Sequence, residues 1–230
     1  MVNIKGSTVV VTGGQRGLGK AIVDELLRRG AAKVYATARV PRPSDDSRVV
    51  SVELDVTKPD SVAALASTAS DADVVINNAG VLGAPKLLSS DIEEVRAVFE
   101  TNYFGALRVA KAFAPILADN GGGALVDIHS VLSWVGGFGG YGDSKAAFWS
   151  ATNSLRIELE KQGTLVTGVH LGYTDTDMVS AFDVPKNDAR QVARDIVDGI
   201  ERGDAEVLAD DVTRSIKAAL SGPVEALRVG

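Results

Sequence analysis

The stretch STVVVTGGQRGLG, Ser7 to Gly19, decides how the chain is read. Its first half is a β-branched run, the composition of a buried strand. Its second half is rich in glycine and leads into Leu18–Arg29, whose apolar residues recur at helical spacing until Gly30 ends the pattern. A strand that passes through a glycine loop directly into a helix is the opening unit of an α/β sheet. Glycine lets the backbone turn sharply and approach a phosphate with no Cβ between them, and the free N–H groups at the helix start favour an anion. A tight strand-to-helix turn with no ligand would use the same residues, so the loop alone does not establish a dinucleotide site.

Outward from this unit, strand-like runs and helical segments alternate almost to the end of the chain. Lys33–Ala38, Arg48–Leu54, Asp73–Asn77, Ala124–Ser130, Thr164–Leu171 and Glu206–Ala209 read as strands. Helices are expected after Thr57 as N-cap, over Asp91–Leu117 in two packed pieces, and over Tyr141–Gln162 up to Gly163. Others are expected briefly after Thr176, over Asp188–Arg202 and over Val212–Leu220. The alternation, with valine-rich strands buried on both faces, predicts one α/β domain over residues 1–230: a doubly wound Rossmann fold with a central, mainly parallel, seven-stranded sheet flanked by helices. Such sheets bind ligands at the carboxyl ends of their strands, and each motif below falls just past such an end.

Composition narrows the function. The 230 residues are 45% hydrophobic and 23% charged, which suits a globular domain. A net charge of −6 with no basic stripe argues against nucleic acid as a partner. No apolar run approaches a membrane span, and Met-Val-Asn-Ile-Lys-Gly enters the first strand without the marks of a signal peptide, so a cytoplasmic location is expected. The absence of cysteine excludes disulfides and thiolate metal sites. His129 and His170 lie in strand-like runs and read as core residues, so no metal site is expected.

The glycine loop is spaced G-x-x-x-G-x-G, at Gly13, Gly17 and Gly19. Asn77-Asn78-Ala79-Gly80 follows the fourth strand, Asn102 lies within a helix, Ser130 follows the fifth strand, and Tyr141-x-x-x-Lys145 opens the next helix. In these motifs and their order the chain resembles the short-chain dehydrogenase/reductase family over nearly its whole length. The resemblance implies an oxidoreductase with a nicotinamide cofactor. By that resemblance Gly13, Gln15, Arg16, Gly17, Leu18 and Gly19 meet the cofactor in the glycine loop, and Asp55 and Val56 meet its adenine. Asn78, Ala79 and Gly80 pack beside the adenine ribose. Tyr141 and Lys145 belong to the cofactor site as well, as do Gly172, Thr174 and Thr176, with Thr176 at the carboxamide. Two features depart from the family pattern: Leu171 stands where a proline is expected, and the interval from Ser130 to Tyr141 is shorter than usual.

The second strand, VYATAR, ends at Ala38 and Arg39, and no carboxylate follows until Asp45. An acid at this place would bind the ribose hydroxyls of NAD, whereas Arg39, with Arg16 in the glycine loop, would attract a 2′-phosphate. NADP (NADPH) is therefore the expected cofactor in preference to NAD, although either arginine alone could be a solvated surface residue.

Carbonyl reduction needs a group that polarises the carbonyl and a group that protonates the forming alkoxide. Tyr141 and Lys145, four apart on one helix, share a face. A free tyrosine titrates near roughly 10, and a neighbouring ammonium is expected to lower that value. Tyr141 is thus the expected general acid/base and Lys145 its electrostatic tuner, which by resemblance also binds the nicotinamide ribose. Ser130 can hold the substrate oxygen, and Asn102 resembles the family residue that distorts its helix and holds a water in a proton relay. Singly, each has a plain structural reading; jointly they point to catalysis.

Val131, Leu132, Trp134 and Phe138 are expected on one wall of the substrate pocket. Leu82 and a short lid over about residues 173–187, with Tyr173, Met178 and Phe182, form the other. These side chains suit an uncharged, hydrophobic carbonyl compound or alcohol. Trp134 and Phe138 would serve equally as core or subunit contacts. The helices FGALRVAKAFAPIL and AAFWSATNSLRIEL are apolar over more than one face, which predicts a homodimer or homotetramer. The alternative reading is a non-catalytic NADP-binding sensor, which would bind NADPH without transferring hydride. Epimerase and dehydratase relatives carry a differently spaced glycine loop and a longer C-terminal substrate domain.

Overall fold

The computed structural model describes residues 2–227. Seven strands, β1 (Thr8–Val11), β2 (Lys33–Ala38), β3 (Val49–Glu53), β4 (Val74–Asn77), β5 (Ala124–Ile128), β6 (Leu165–His170) and β7 (Glu206–Leu208), form one sheet. Its order is β3-β2-β1-β4-β5-β6-β7 and every pairing is parallel. The direction of winding reverses between β1 and β4, which opens the crevice where such sheets hold a ligand.

Alternation along the strands divides the core into two layers. Val9 and Val11, Val34 and Ala36, Val74 and Ile76 pack beneath helices α1 (Gly17–Arg28) and α6 (Ala189–Arg202). Val10, Tyr35, Val75, Leu125 and Val166 point the other way, into a layer shared with α2 (Pro59–Thr68), α4 (Ala106–Asp119) and α5 (Gly139–Leu159). Two further helices are α3 (Ile92–Phe99) and α7 (Asp211–Ala219). No helix among the described residues is long and apolar enough to cross a membrane.

Several local expectations change. Lys58, not Thr57, stands at the N-cap of α2, and it makes no side-chain capping bond. The Thr57 hydroxyl donates instead to Asp55 Oδ1 at 2.7 Å, because a carboxylate is a stronger acceptor than the helix start is a donor to a hydroxyl. The segment expected as two packed helices is one continuous run in which a π-helical stretch, Glu100–Gly105, joins α3 to α4. Helix α5 starts at Gly139, two residues before Tyr141. Gly139 adopts φ +45, and an added Cβ would stand 2.3 Å from the Ala84 carbonyl oxygen. That close approach, with Gly140 N–H donating to the same carbonyl, seats the start of α5 against the loop after β4. Glycine is required there because no side chain fits between the two backbones.

Candidate active site

The glycine loop leaves β1 at Thr12, whose hydroxyl donates to the Ile76 carbonyl and accepts from the N–H groups of Asn78 and Ala79. This one side chain ties the glycine loop to the Asn77–Gly80 turn. Asn78 Nδ2 returns the connection by donating to the Thr12 and Gly13 carbonyls. A Cβ on Gly19 would lie 2.2 Å from the Gly13 oxygen, so the loop closes onto α1 only with glycine there. At the start of α1 the N–H groups of Gly17, Leu18 and Gly19 have no protein acceptor among the described residues, and no acidic side chain occupies the first turn. Unpaired donors at the positive end of a helix, reached over a surface without Cβ atoms, fit a pyrophosphate.

Around this loop the expected cofactor residues divide by what holds them. Arg16 and Arg39 are exposed, with no protein partner among the described residues. The Gln15 side chain is committed elsewhere: its Oε1 accepts from Arg42 N–H at 2.8 Å and its Nε2 donates to the Arg42 carbonyl at 3.0 Å. Only the backbone of Gln15 remains for a ligand. The same clasp fixes Arg42 beside the glycine loop, a third exposed arginine that the spacing of VYATAR did not bring to notice. Its signal lies in pairing across the loop, which single-strand reading does not carry. Asp55 closes a turn onto Thr57, and Val56 is buried against Gly105. Thr176 stands over Gly17, its Cγ2 3.2 Å from where a Cβ would be, so the loop after β6 covers the glycine loop.

The second cluster lies past the ends of β4 and β5. Asn102, in the π-helical stretch, accepts from Val81 N–H at 2.9 Å and donates to the Val81 carbonyl and to Ser144 Oγ. Ser144 Oγ in turn donates to the Tyr141 carbonyl at 2.7 Å. Asn102 therefore ties the β4 loop to the first turn of α5, and the π-helical widening is the local cost of turning its amide inward. Ser130 caps a short 3-10 turn, Val131–Ser133, through Oγ accepting from Leu132 N–H.

Lys145 is 4% exposed, and Nζ donates to the Ile128 carbonyl at 2.7 Å, its one protein hydrogen bond among the described residues. Nζ lies 5.9 Å from the centre of the Tyr141 ring. Burial pulls the lysine down to about 8, with Asp127 acting against the fall. Tyr141 departs from expectation. Burial pushes its phenol up to about 12, opposed by a hydrogen bond with Ser130. The ammonium is held by a backbone carbonyl, so within the protein alone desolvation decides the state of the phenol.

Of the residues expected at the pocket walls, Phe138, Tyr173 and Phe182 come together, with ring centres 6.4, 5.7 and 5.4 Å apart in the three pairings. Met178 is 43% exposed. Trp134 takes the other role weighed for it. It is buried, stacks on His170 at 3.8 Å, meets Trp149 edge-on, and lies beneath Lys217, so it belongs to the packing between the sheet and the C-terminal helix. Val131 is likewise buried. The segment over residues 173–187 is pinned at its feet: Asn187 N–H donates to the Tyr173 carbonyl, Asp175 N–H donates to the Asn187 carbonyl, and Asp210 accepts from both Gly172 N–H and Asn187 Nδ2.

Known proteins carry the same architecture and sequence pattern. Residues 7–187 match the family model for short chain dehydrogenase. A short chain dehydrogenase from Burkholderia cenocepacia, solved in complex with NADP, is 37% identical, superposes with a TM-score of 0.91, and is covered over 97% of its length by 98% of this chain. The 1-deoxy-11-beta-hydroxypentalenate dehydrogenase of Streptomyces avermitilis is 36% identical over 203 residues, 81% of this chain and 75% of that protein. An oxidoreductase of Myxococcus xanthus is 32% identical over 225 residues, 90% of this chain and 88% of its own. With a single parallel Rossmann sheet and matches of this extent, the chain belongs to the short-chain dehydrogenase/reductase family, oxidoreductases that act on CH–OH groups with NAD(P).

Proposed function

We propose that the protein is an NADP-dependent oxidoreductase that interconverts an uncharged, hydrophobic carbonyl compound and its alcohol, with Tyr141 as general acid/base. The observation that carries this reading is the convergence of Ser130, Tyr141 and Lys145 past the ends of β4 and β5, beside a glycine loop with free N–H donors. Bound NADPH would supply the hydride. Gly13 to Gly19 would cradle its pyrophosphate, and Arg16, Arg39 and Arg42 would face the 2′-phosphate. Thr176 and the Gly172–Thr174 backbone would close over the nicotinamide end. Lys145 has N–H donors left for the ribose hydroxyls. Ser130 would hold the substrate oxygen, and Tyr141 would give it a proton as negative charge develops. Burial of the phenol makes it a weaker acid in the protein alone, and a positively charged oxidised nicotinamide beside it would pull it back down.

The Phe138–Tyr173–Phe182 cluster supports an apolar substrate, since aromatic rings at a site mouth offer no partner to a charge. Phe104 and Ile157, exposed on the π-helical stretch and on α5, support paired subunits, and a monomer by light scattering at micromolar concentration would count against that pairing. The main test is a panel of carbonyl substrates followed by NADPH absorbance, with NADH in parallel. Consumption of NADPH with apolar aldehydes or ketones is expected. Tight NADPH binding without turnover on any member would point to a sensor instead.

A further inference from the structure

At the carboxyl ends of β4, β5 and β6, on the face shared with α4 and α5, alternation calls for apolar side chains, as it has in Val75, Leu125 and Val166. Asn77, Asp127, His129 and His170 occupy those positions instead, all of them buried, and Thr152 of α5 faces them. Asp127 is wholly inaccessible. Its Oδ1 accepts from Asn77 Nδ2 at 2.9 Å and its Oδ2 accepts from the Thr152 hydroxyl at 2.7 Å. The same hydroxyl also lies 3.0 Å from the Phe148 carbonyl; with its single proton on the shorter contact to Asp127, His129 Nε2 at 3.1 Å is the donor of the pair. With the Thr152 proton on Asp127, a donor meets each carboxyl oxygen, the surroundings of an ionised carboxylate, while burial pushes its titration up to about 6.

A wholly buried carboxylate needs a compensating charge. The charged and titratable groups around it are few. On its own strand His129 is neutral at ordinary pH, since burial pulls it well down, and on β6 His170 is pulled to about 3. Glu206 of β7 and Lys217 of α7 pair with each other beside His170. Arg156 of α5 is spent on the Val166 and Ala205 carbonyls and on Asn153. Tyr141 of α5 is neutral. Lys145 remains: it is as deeply buried, its Nζ is anchored on the carbonyl of the next residue along β5, Ile128, and each of the two groups favours the charged form of the other.

We propose that Asp127 is the buried counter-charge of Lys145, a positioning residue that touches neither substrate nor cofactor but keeps the lysine, itself anchored on the Ile128 carbonyl, charged. The Asn77–Asp127–Thr152–His129 chain then serves to hold a carboxylate where the sheet would otherwise carry an apolar side chain. The inference concerns the protonation of Lys145 itself, so it stands or falls apart from the identity of the substrate.

The test is a direct titration of Lys145 by carbon NMR on protein labelled at lysine Cε, its signal assigned by loss in Lys145→Arg. In Asp127→Asn, which keeps size and from whose new donor the Thr152 hydroxyl can accept by turning its own proton to the Phe148 carbonyl, the Lys145 midpoint should fall by about one pH unit from that of the unaltered protein, the lower end for loss of a nearby opposite charge. A destabilised Asp127→Asn with an unchanged Lys145 midpoint would reduce Asp127 to a structural role and overturn the proposal. Should the variant fail to fold, the unaltered protein still decides. Its Lys145 signal should show a second step near pH 6 as Asp127 takes up a proton, and a signal flat through that region would overturn the proposal. Neither readout needs turnover, so a failed carbonyl panel leaves this result intact.

Discussion

Lys145 Nζ stands 5.9 Å from the centre of the Tyr141 ring, one helical turn further along α5, and is anchored on the Ile128 carbonyl. The two side chains share a helix face but not a hydrogen bond. This geometry separates their tasks. The lysine charge is fixed from the strand side, leaving its other donors free for a ligand, while burial pushes the phenol up to about 12. A lysine bonded directly to the phenol would compete with a substrate oxygen for it.

Tyr141→Phe isolates the proton. The substitution removes one oxygen and preserves the packing of the first turn of α5, which rests on Ser144 and Asn102 and not on the hydroxyl. Turnover should fall by about 10²–10⁴-fold, the usual contribution of a positioned general acid. NADPH affinity, measured by fluorescence titration, should change by no more than a few fold. A fully active variant would refute the assignment.

The proposed preference for NADPH rests on the arginines that flank the glycine loop. Arg39→Asp combined with Arg16→Ala removes two positive charges and places an acid where ribose hydroxyls would lie. NADPH affinity should weaken by about tenfold or more, as expected for lost charge-assisted bonds, while NADH affinity holds or improves. Equal affinity of the unaltered protein for NADH and NADPH at moderate salt would sink the preference.

What could be read in advance follows the range of the interaction. The β-α alternation, the glycine loop and the Tyr141-x-x-x-Lys145 face are local patterns, and the sheet carries them at nearly the expected residues. The pinning of Gln15 by Arg42, the stacking of Trp134 on His170 and the carboxylate role of Asp127 each join residues far apart in the chain. No periodicity announces them. Asp127 sat inside a strand-like run, where a carboxylate reads as an interruption until its partners on β4 and α5 are known. The rise of the Tyr141 phenol was missed for a related reason: spacing places an ammonium near it but says nothing of desolvation.

Burial of Lys145 makes a prediction about stability. Its ordinary value of 10.5 falls to about 8 in the folded protein, so between these limits the unfolded chain holds a proton that the folded chain lacks. Stability therefore rises with pH across that window, and below it the folded state bears the full cost of the buried charge. Measured by urea unfolding against Lys145→Met, which cannot titrate, the unaltered protein should gain about 1.4 kcal/mol per pH unit there, about 3 kcal/mol in all. Asp127 stays ionised throughout the window and adds only a constant offset. Parallel stability curves for the two proteins would show that Lys145 is not desolvated on folding.

If the proposed carbonyl chemistry holds, the Phe138–Tyr173–Phe182 cluster sets a preference among substrates. Phe182 is half-buried, meets Phe138 and Tyr173, and lies on the segment whose feet are fixed by Asn187 and Asp210. Since the feet do not depend on the ring, Phe182→Ala should leave the fold and the Tyr141 chemistry in place while removing apolar surface from the site mouth. For hydrophobic ketones KM should rise by about tenfold, in keeping with the loss of one aromatic contact surface, and kcat should stay within about twofold. Small polar carbonyls, which gain little from an apolar wall, should show nearly unchanged KM. An equal rise for polar and apolar substrates would mean that Phe182 sets the position of the lid and not the preference of the pocket.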